Sequence, residues 1–209
     1  APTKSAILTG LAVSPELATR RPLAVMIENH PDARPQAGLI NADLVFEAIV
    51  EGGITRFMAV YGSKEVDKIG PVRSSRPAYV HWAAGLRALY THAGGSQGAL
   101  ALIPTVSEIV DLPHTAAYFQ REPRPDVASE HTLFSSTKQL YDFAREKEAK
   151  LEADIKSYRF RDDVAPAKRP TSATASLNFS TQTYQVDWAY EQDTNRYARS
   201  QAGQAPVDR

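Results

Sequence analysis

The chain has 209 residues, 43% of them hydrophobic and 23% charged, which is the composition of an ordinary globular protein with room for a sizeable core. Basic and acidic residues number 24 each, so the formal net charge is zero and excludes a global field that would attract nucleic acid. There is no cysteine, which excludes disulfides, thiol catalysis and cysteine-based metal sites.

The first third of the chain predicts three strands, two of which form a β-hairpin. Residues 23–27 are a compact apolar run, as expected of a buried strand. Residues 44–50 and 55–61 are rich in β-forming residues, and Glu51-Gly52-Gly53 lies between them. A short connection that contains glycines, between two such runs, is typical of a hairpin.

The middle of the chain alternates between predicted helices and short strands. Ser74 or Ser75 is expected to cap a helix that has Pro77 in its first turn and ends near residue 84. A second helix, capped by residues 135–137, is expected from residue 138 to about residue 153. The other predicted elements are strands 88–92, 107–111 and 116–120, a short helix 97–102 and a loop 121–130.

The last part of the chain differs in character from the rest. Residues 162–174 are rich in Pro, Ala, Lys and Ser and read as a linker, after which alternating residues predict further strands. We therefore predict an α/β (α+β mixed) domain over residues 1–165, with a partly antiparallel mixed sheet and packed helices. Residues 166–209 are predicted to be a linker and the truncated start of a β-rich domain. The predicted strands of this part are 177–179, 184–190 and 195–199.

An arginine-rich segment is the first candidate binding site. A helix that begins at Ser74 or Ser75 would present free N–H groups and a partial positive charge, and Arg73 and Arg76 flank that position. Such a site suits a phosphate or a carboxylate. The alternative is that these arginines form structural ion pairs with Glu28, Glu47 or Glu51. Arg34 and Arg56 are expected to add positive charge to the same site.

A glycine-rich turn is the second candidate site. His92 ends a predicted strand, and Gly94, Gly95 and Ser96 follow before a helix. Glycines at this point let the backbone approach a ligand closely, although an ordinary tight turn would look the same. The letters Gly-x-Ser-x-Gly also allow a nucleophilic Ser96, with Asp111 and His131 as partners, but the predicted hairpin argues against that fold.

Acidic and histidine side chains supply the candidate catalytic groups. Glu28 and Glu51 lie in or beside apolar runs, where a carboxylate is costly unless it is paired, so each is a candidate general acid or base. The alternative for Glu51 is a salt bridge to Arg56 or Arg34 that fixes the hairpin. His92 and His131 are the better site candidates among the histidines. No histidine pair has a recognised metal-binding spacing, so no metal ligand is predicted.

Six ordered blocks carry a family resemblance, and they are residues 21–30, 33–39, 42–47, 51–56, 70–76 and 92–96. Together they resemble the N-terminal domain of the YerB-like bacterial lipoproteins, described as domain of unknown function 3048. The resemblance spans roughly residues 8–134, and residues 186–190 and 197–199 are similar to the start of the family's C-terminal domain. The family has a Pro-His-Asn segment where this chain reads Ser129-Glu130-His131-Thr132, so only His131 matches.

The resemblance implies an extracytoplasmic protein that is held to the membrane by a lipid anchor, whose cysteine this chain lacks. It supplies no established reaction and does not identify a cofactor. We expect an anion-binding cleft whose ligand is a cell-wall fragment, such as peptidoglycan, or an envelope protein. The alternative is an enzyme that transfers phosphoryl or glycosyl groups on an anionic envelope substrate, with Glu28 or Glu51 as the base or as a metal ligand. A third possibility is a purely structural module that positions partners.

Overall fold

A computed structural model describes residues 2–152 and 154–205 of the chain. Its α-helices are α1 (Pro15–Thr19), α2 (Pro77–Gly85), α3 (Gln97–Leu102) and α4 (Thr137–Glu146). Its strands are β1 (Lys4–Ser5), β2 (Ala12–Val13), β3 (Leu23–Glu28), β4 (Leu44–Ile49), β5 (Thr55–Tyr61), β6 (Leu89–His92), β7 (Val110–Pro113), β8 (Gln120–Arg121), β9 (Leu133–Phe134), β10 (Thr174–Asn178), β11 (Gln185–Glu191) and β12 (Arg196–Gln201).

A five-stranded mixed sheet forms the centre of the fold, in the order β4-β5-β3-β6-β7. β3 pairs antiparallel with β5 on one side and parallel with β6 on the other. All six residues of β3 are buried, because the sheet is covered on both faces, and this explains its unbroken apolar run. The predicted mixed, partly antiparallel sheet with packed helices is confirmed.

The predicted hairpin is formed by β4 and β5, which pair antiparallel along their whole length. The connection is a short turn over Glu51–Gly53 in which the φ angles of Gly52 and Gly53 are 68° and 73°. Residues with a side chain rarely adopt this left-handed backbone conformation, so the two glycines allow the turn to close. The turn places Glu51 at the end of the hairpin.

Helices cover the two faces of the central sheet. On one face Tyr79, Val80 and Ala83 of α2 pack with Met26, Met58 and other buried residues of the strands. On the other face, α4 packs its apolar side against the sheet through Leu140, Tyr141, Phe143 and Ala144. The domain is therefore a three-layer arrangement of helix, sheet and helix.

The β-rich extension is a separate three-stranded antiparallel sheet in the order β10-β11-β12. It contacts the end of the hairpin, where the Ser180 hydroxyl donates to the Gly53 carbonyl at 2.5 Å. Tyr184 and Val186 are buried, with 6% and 0% of each residue exposed. The extension therefore packs against the hairpin of β4 and β5.

Several element boundaries differ from those predicted. α4 ends at Glu146, earlier than predicted, with Lys147 donating its backbone N–H to Phe143 and Arg145 carbonyls; Ala153, near the predicted end, lies outside the described residues. β7 and β8 begin later than the predicted strands 107–111 and 116–120.

Among the described residues, no helix has the length and apolar character that crossing a membrane requires.

Candidate functional site

A buried carboxylate lies at the centre of the arginine-rich region. Glu28 ends β3, the middle strand of the sheet, and is only 2% exposed. Arg73 Nε lies 2.5 Å from one carboxylate oxygen and Arg56 Nη2 lies 3.4 Å from the other. Burial by itself raises the pKa of Glu28, but Arg56 and Arg73 outweigh it, so this pKa lies below its ordinary value. Glu28 is therefore ionised at neutral pH and forms ion pairs with the two guanidinium groups.

The two arginines reach Glu28 from different parts of the fold. Arg56 is the direct cross-strand neighbour of Glu28 on β5, and its Nη1 also donates to the Ser74 carbonyl at 3.0 Å. The segment that carries Arg73 runs beside the end of β3, where the Arg73 N–H donates to the Met26 carbonyl at 2.9 Å. Arg73 Nη2 also lies 3.0 Å from a carboxylate oxygen of Glu130. Arg73 thus bridges one buried and one exposed carboxylate.

Arg76 and Glu51 form a neighbouring ion pair. Arg76 Nε and Nη2 each lie 2.6 Å from a Glu51 oxygen, which is a two-point contact. The hydrogen bonds from Arg76 lower the pKa of Glu51 to about 2 and outweigh the opposite effect of burial. Glu51 is therefore held as an anion by Arg76 and not by Arg56 or Arg34, in line with the alternative that the arginines form ion pairs with glutamates.

The predicted helix cap at Ser74 or Ser75 is wrong. α2 begins after Arg76, which occupies the N-cap position without a side-chain capping bond, and Pro77 is in the first turn as predicted. The Ser75 hydroxyl is buried instead and lies 2.6 Å from the Tyr90 hydroxyl. Ser74 contributes its carbonyl to Arg56. A free helix N-terminus between two arginines therefore does not describe this segment.

The glycine-rich turn lies directly beside the arginine-bearing segment. Ser75 donates its N–H to the Gly94 carbonyl at 2.9 Å, and Ser75 and Gly95 form a parallel bridge. The Ser96 hydroxyl accepts from the Ala99 N–H at 3.3 Å and caps α3. The two motifs that were singled out separately in the sequence therefore meet in the fold.

His92 and His131 have different partners, and neither is hydrogen-bonded to the Ser96 side chain. His92 is buried, with its ring nitrogens 2.8 Å from the Gly94 carbonyl and 2.9 Å from an Asp111 oxygen. His131 instead lies beside Glu28, with 3.8 Å between Nδ1 and the carboxylate oxygen. Because Asp111 pairs with His92, the serine–histidine–aspartate arrangement weighed for Ser96, Asp111 and His131 is not formed.

His131 belongs to a compact group in the loops beyond the sheet. Its ring stacks on His30, with 5.0 Å between ring centroids and an angle of 8° between the planes. Burial lowers the pKa of His131, and the nearby charges of His30 and Arg73 add to this effect against the opposing charge of Glu28. His30, Asp32 and His131 each bring one possible metal-binding atom to the same place.

Arg34 faces the β-rich extension. Its Nε donates to the Asn29 side-chain carbonyl at 3.1 Å, and its Nη2 lies 3.4 Å from the Thr183 carbonyl. The guanidinium also lies over the Tyr184 ring, 5.3 Å from the centroid. Arg34 therefore links the loop after β3 to the turn before β11 and is not part of the group around Glu28.

A polar network that was not predicted continues from Asn29. Its side-chain amide donates to the Thr55 hydroxyl at 2.6 Å, and Thr55 in turn donates to Glu47 at 2.7 Å. Arg199 of β12 lies 2.8 Å from the second Glu47 oxygen. Glu47 is the one charged residue in the otherwise apolar β4, and this feature of the sequence could have revealed the network.

A surface cavity lies away from these residues. It has a volume of about 440 Å³ and contains none of the predicted site residues. Charged groups from α4 and from the chain around Arg20 form most of its wall. Its lining is Glu16, Arg20, Glu65, Lys138, Tyr141, Asp142, Arg145, Leu151 and Glu152.

Comparisons with known proteins agree on one family. The chain is 32% identical to the Bacillus subtilis (strain 168) protein named "Putative lipoprotein YerB" over 207 residues, which is 97% of this chain and 61% of that protein. The crystal structure of the YerB protein from Bacillus subtilis has a TM-score of 0.85 and 30% identity to this chain, covering 98% of this chain and 69% of that one. Residues 8–150 match the family described as "Protein of unknown function (DUF3048) N-terminal domain". The chain therefore belongs to this family, as the ordered sequence blocks had indicated.

Proposed function

We propose that the protein acts outside the cytoplasm in the bacterial envelope and binds an anionic ligand through Arg73 and Arg76. The ligand would be a cell-wall fragment or an acidic surface of an envelope protein. The location is supported by the name of the Bacillus subtilis relative, which describes a lipoprotein. The observation that carries the binding proposal is that each of these arginines is largely buried, while the glutamate that covers it is exposed to solvent.

The Arg73 pair is built so that one partner is replaceable. The Arg73 side chain is 26% exposed and is held from behind by Glu28, whose side chain is 2% exposed. The Glu130 side chain on the other side is 52% exposed. An exposed ion pair contributes only about 0–1 kcal/mol, so a ligand phosphate or carboxylate can take the place of Glu130 at little cost. Arg73 keeps its position, because its contact with Glu28 remains.

The Arg76 pair has the same design. The Arg76 side chain is 20% exposed and its partner Glu51 is 66% exposed. Arg76 Nη1 also donates to the Ser75 carbonyl at 2.7 Å, which keeps the guanidinium oriented without Glu51. Two preorganised guanidiniums, each covered by an exposed carboxylate, are a reasonable receptor for two anionic groups of one ligand.

Isothermal titration calorimetry with pyrophosphate and with a pyrophosphate-linked sugar tests the proposal. Arg73→Ala should weaken binding by at least about tenfold, since a hydrogen bond to a charged group contributes about 1.5–3 kcal/mol. Glu130→Gln should strengthen binding, because it removes the competing carboxylate and keeps the side chain's shape. Arg145→Ala is the matched control, because Arg145 forms an exposed ion pair on α4 with Asp142.

One pattern of results would overturn the proposal. If Arg73→Ala and Arg76→Ala lower the melting temperature but leave every anion bound as before, or if no anion binds to the wild type, the ion pairs are structural. The protein would then be better described as a module that positions envelope partners.

Phosphoryl or glycosyl transfer on an anionic envelope substrate is the second candidate. The observation that favours it is His131, whose Nδ1 is buried without a hydrogen-bond partner and lies 3.8 Å from the ionised Glu28. A neutral imidazole next to a carboxylate and to Arg73 is a group that could accept a proton. Turnover of a pyrophosphate-linked sugar that disappears in His131→Gln, with binding retained, would establish this function.

A further inference from the structure

We propose that His30, Asp32 and His131 bind a divalent transition-metal ion such as zinc. One donor atom from each side chain lies within 4.8 Å of the other two. Two imidazoles and one carboxylate are a ligand set of catalytic zinc sites, which leave a further position open. The site is independent of the anion-binding proposal. No histidine spacing in the sequence indicated it, because His131 is far from His30 and Asp32 in the chain.

The fold brings the three side chains together from two loops. His30 and Asp32 belong to the turn that follows β3, where His30 Nδ1 accepts from the Asp32 N–H at 3.3 Å. His131 ends the short turn before β9, and its ring stacks on that of His30. Arg124 holds the first turn in place by donating to the carbonyls of Asp32 and Arg34. The group therefore has a defined backbone framework.

Small side-chain movements would complete the coordination. Donor atoms around a tetrahedral zinc ion are roughly 3.4 Å apart, because each zinc–ligand distance is about 2.0–2.1 Å. The side chain of His30 is 35% exposed and that of Asp32 is 60% exposed, so both can rotate toward the ion. His131 is buried and would keep its position, with the exposed ligands closing on it.

An independent observation points to a missing ligand at His131. Its Nδ1 is buried and has no hydrogen-bond partner, and the residue as a whole is only 7% exposed. A buried polar atom without a partner is unusual and costly. A metal ion removes this cost, either by binding Nδ1 or by binding the other ring nitrogen while Nδ1–H is directed toward Glu28, whose oxygen is 3.8 Å away. In the second case Glu28 is the carboxylate that orients a metal-bound histidine.

Charge explains why Asp32 is the third ligand and Glu28 is not. The Glu28 carboxylate already pairs with Arg56 and Arg73. Their positive charges compensate its negative charge, so it attracts a further cation only weakly. The Asp32 side chain has no arginine or lysine within ion-pairing distance among the described residues. Asp32 can therefore neutralise part of the charge of the metal ion.

Zinc and cobalt titrations test the site directly. After removal of metal with a chelator, wild-type protein should bind one Zn²⁺ in isothermal titration calorimetry, and Co²⁺ should produce the visible absorption of a low-coordinate histidine site. His30→Ala and Asp32→Asn should each weaken Zn²⁺ binding by at least about tenfold, since even supporting residues of metal sites have effects of 10–100-fold. His131→Ala should remove binding. His81→Ala, an exposed histidine on α2, is the control and should bind as the wild type does.

The outcomes separate the proposal from its alternatives. His131 is buried, so its variant could unfold, but His30 and Asp32 are at the surface and their variants keep the test decisive. Failure of the wild type to bind Zn²⁺ or Co²⁺, or binding that is equal in His30→Ala and the wild type, would sink the proposal. Anion binding in the absence of metal should not change in His30→Ala, so failure here differs from failure of the arginine site.

Discussion

Glu28 and Arg56 are cross-strand partners at the ends of β3 and β5, and Arg56 Nη2 lies 3.4 Å from a Glu28 oxygen with both side chains at least nine-tenths buried. A buried ion pair contributes little net stability, because desolvation of the two charges offsets their attraction. Breaking such a pair from one side is different, because the remaining charge is left without a partner. This asymmetry gives the first prediction.

Glu28→Gln should lower the free energy of unfolding by about 3–5 kcal/mol, because Arg56 and the inner side of Arg73 lose their counter-charge in a buried place. Urea unfolding followed by circular dichroism measures the change. Glu16→Gln, an exposed carboxylate on α1, is the control and should differ from the wild type by less than about 0.5 kcal/mol. A loss below about 1 kcal/mol in Glu28→Gln would mean that water reaches the two arginines.

The second prediction concerns the Arg76–Glu51 pair and pH. Because the pKa of Glu51 is lowered to about 2, the pair stabilises the folded state fully above the ordinary value of 4.5. This stabilisation is lost as the pH falls from 4.5 toward 2. NMR titration of the Glu51 side-chain carboxyl should give a midpoint near 2 in the wild type. In Arg76→Ala the midpoint should return toward 4.5.

The opposite result for Glu51 is also informative. A wild-type midpoint near 4.5 would mean that the ion pair is not formed in solution. Arg76 would then already be free for a ligand, and the proposed exchange of Glu51 for an anion would be unnecessary. Glu191, an exposed acid on β11, provides an internal comparison in the same spectra.

Arg199 provides a prediction about the β-rich extension. Its contact with Glu47 crosses between the two sheets, and the Glu47 side chain is only 11% exposed. Arg199→Ala should cost about 1–3 kcal/mol, because a largely buried carboxylate loses its charged partner. The extension should also become more sensitive to limited proteolysis. Arg196→Ala, at an exposed position of the same strand, should change neither property; equal sensitivity of both variants would contradict the role of the Arg199 contact.

The elements that could be predicted from the sequence are those decided by local pattern. The run that forms β3 is apolar because both faces of the sheet are covered, and the hairpin of β4 and β5 is marked by its two glycines. Pro77 correctly marked the start of α2. The end of α4 was missed, since the charged residues after Glu146 continue a helical composition although the chain turns there.

The candidate site was predictable in its residue types but not in its pairings. The arginines and glutamates were recognised, and ion pairing was considered, yet the choice of Arg56 as the neighbour of Glu28 follows from strand register. The stacking of His30 on His131 depends on two loops that are distant in sequence. Contacts of this kind are decided by tertiary packing, for which a single sequence carries no local signal.

The last prediction concerns Tyr79, which supports the backbone beneath Arg56. Its hydroxyl lies 2.6 Å from the Arg56 carbonyl and 3.2 Å from the Ala48 carbonyl, and burial raises its pKa well above the ordinary value. The hydroxyl is therefore a permanent donor that holds α2 to β4 and β5. Tyr79→Phe should cost about 1 kcal/mol in urea unfolding, because the ring still fills its place and only the hydrogen bond is lost. Tyr158→Phe, whose residue is 50% exposed, should leave stability unchanged. If Tyr79→Phe and Tyr158→Phe have the same free energy of unfolding, water replaces the Tyr79 hydroxyl and α2 is held by apolar packing alone.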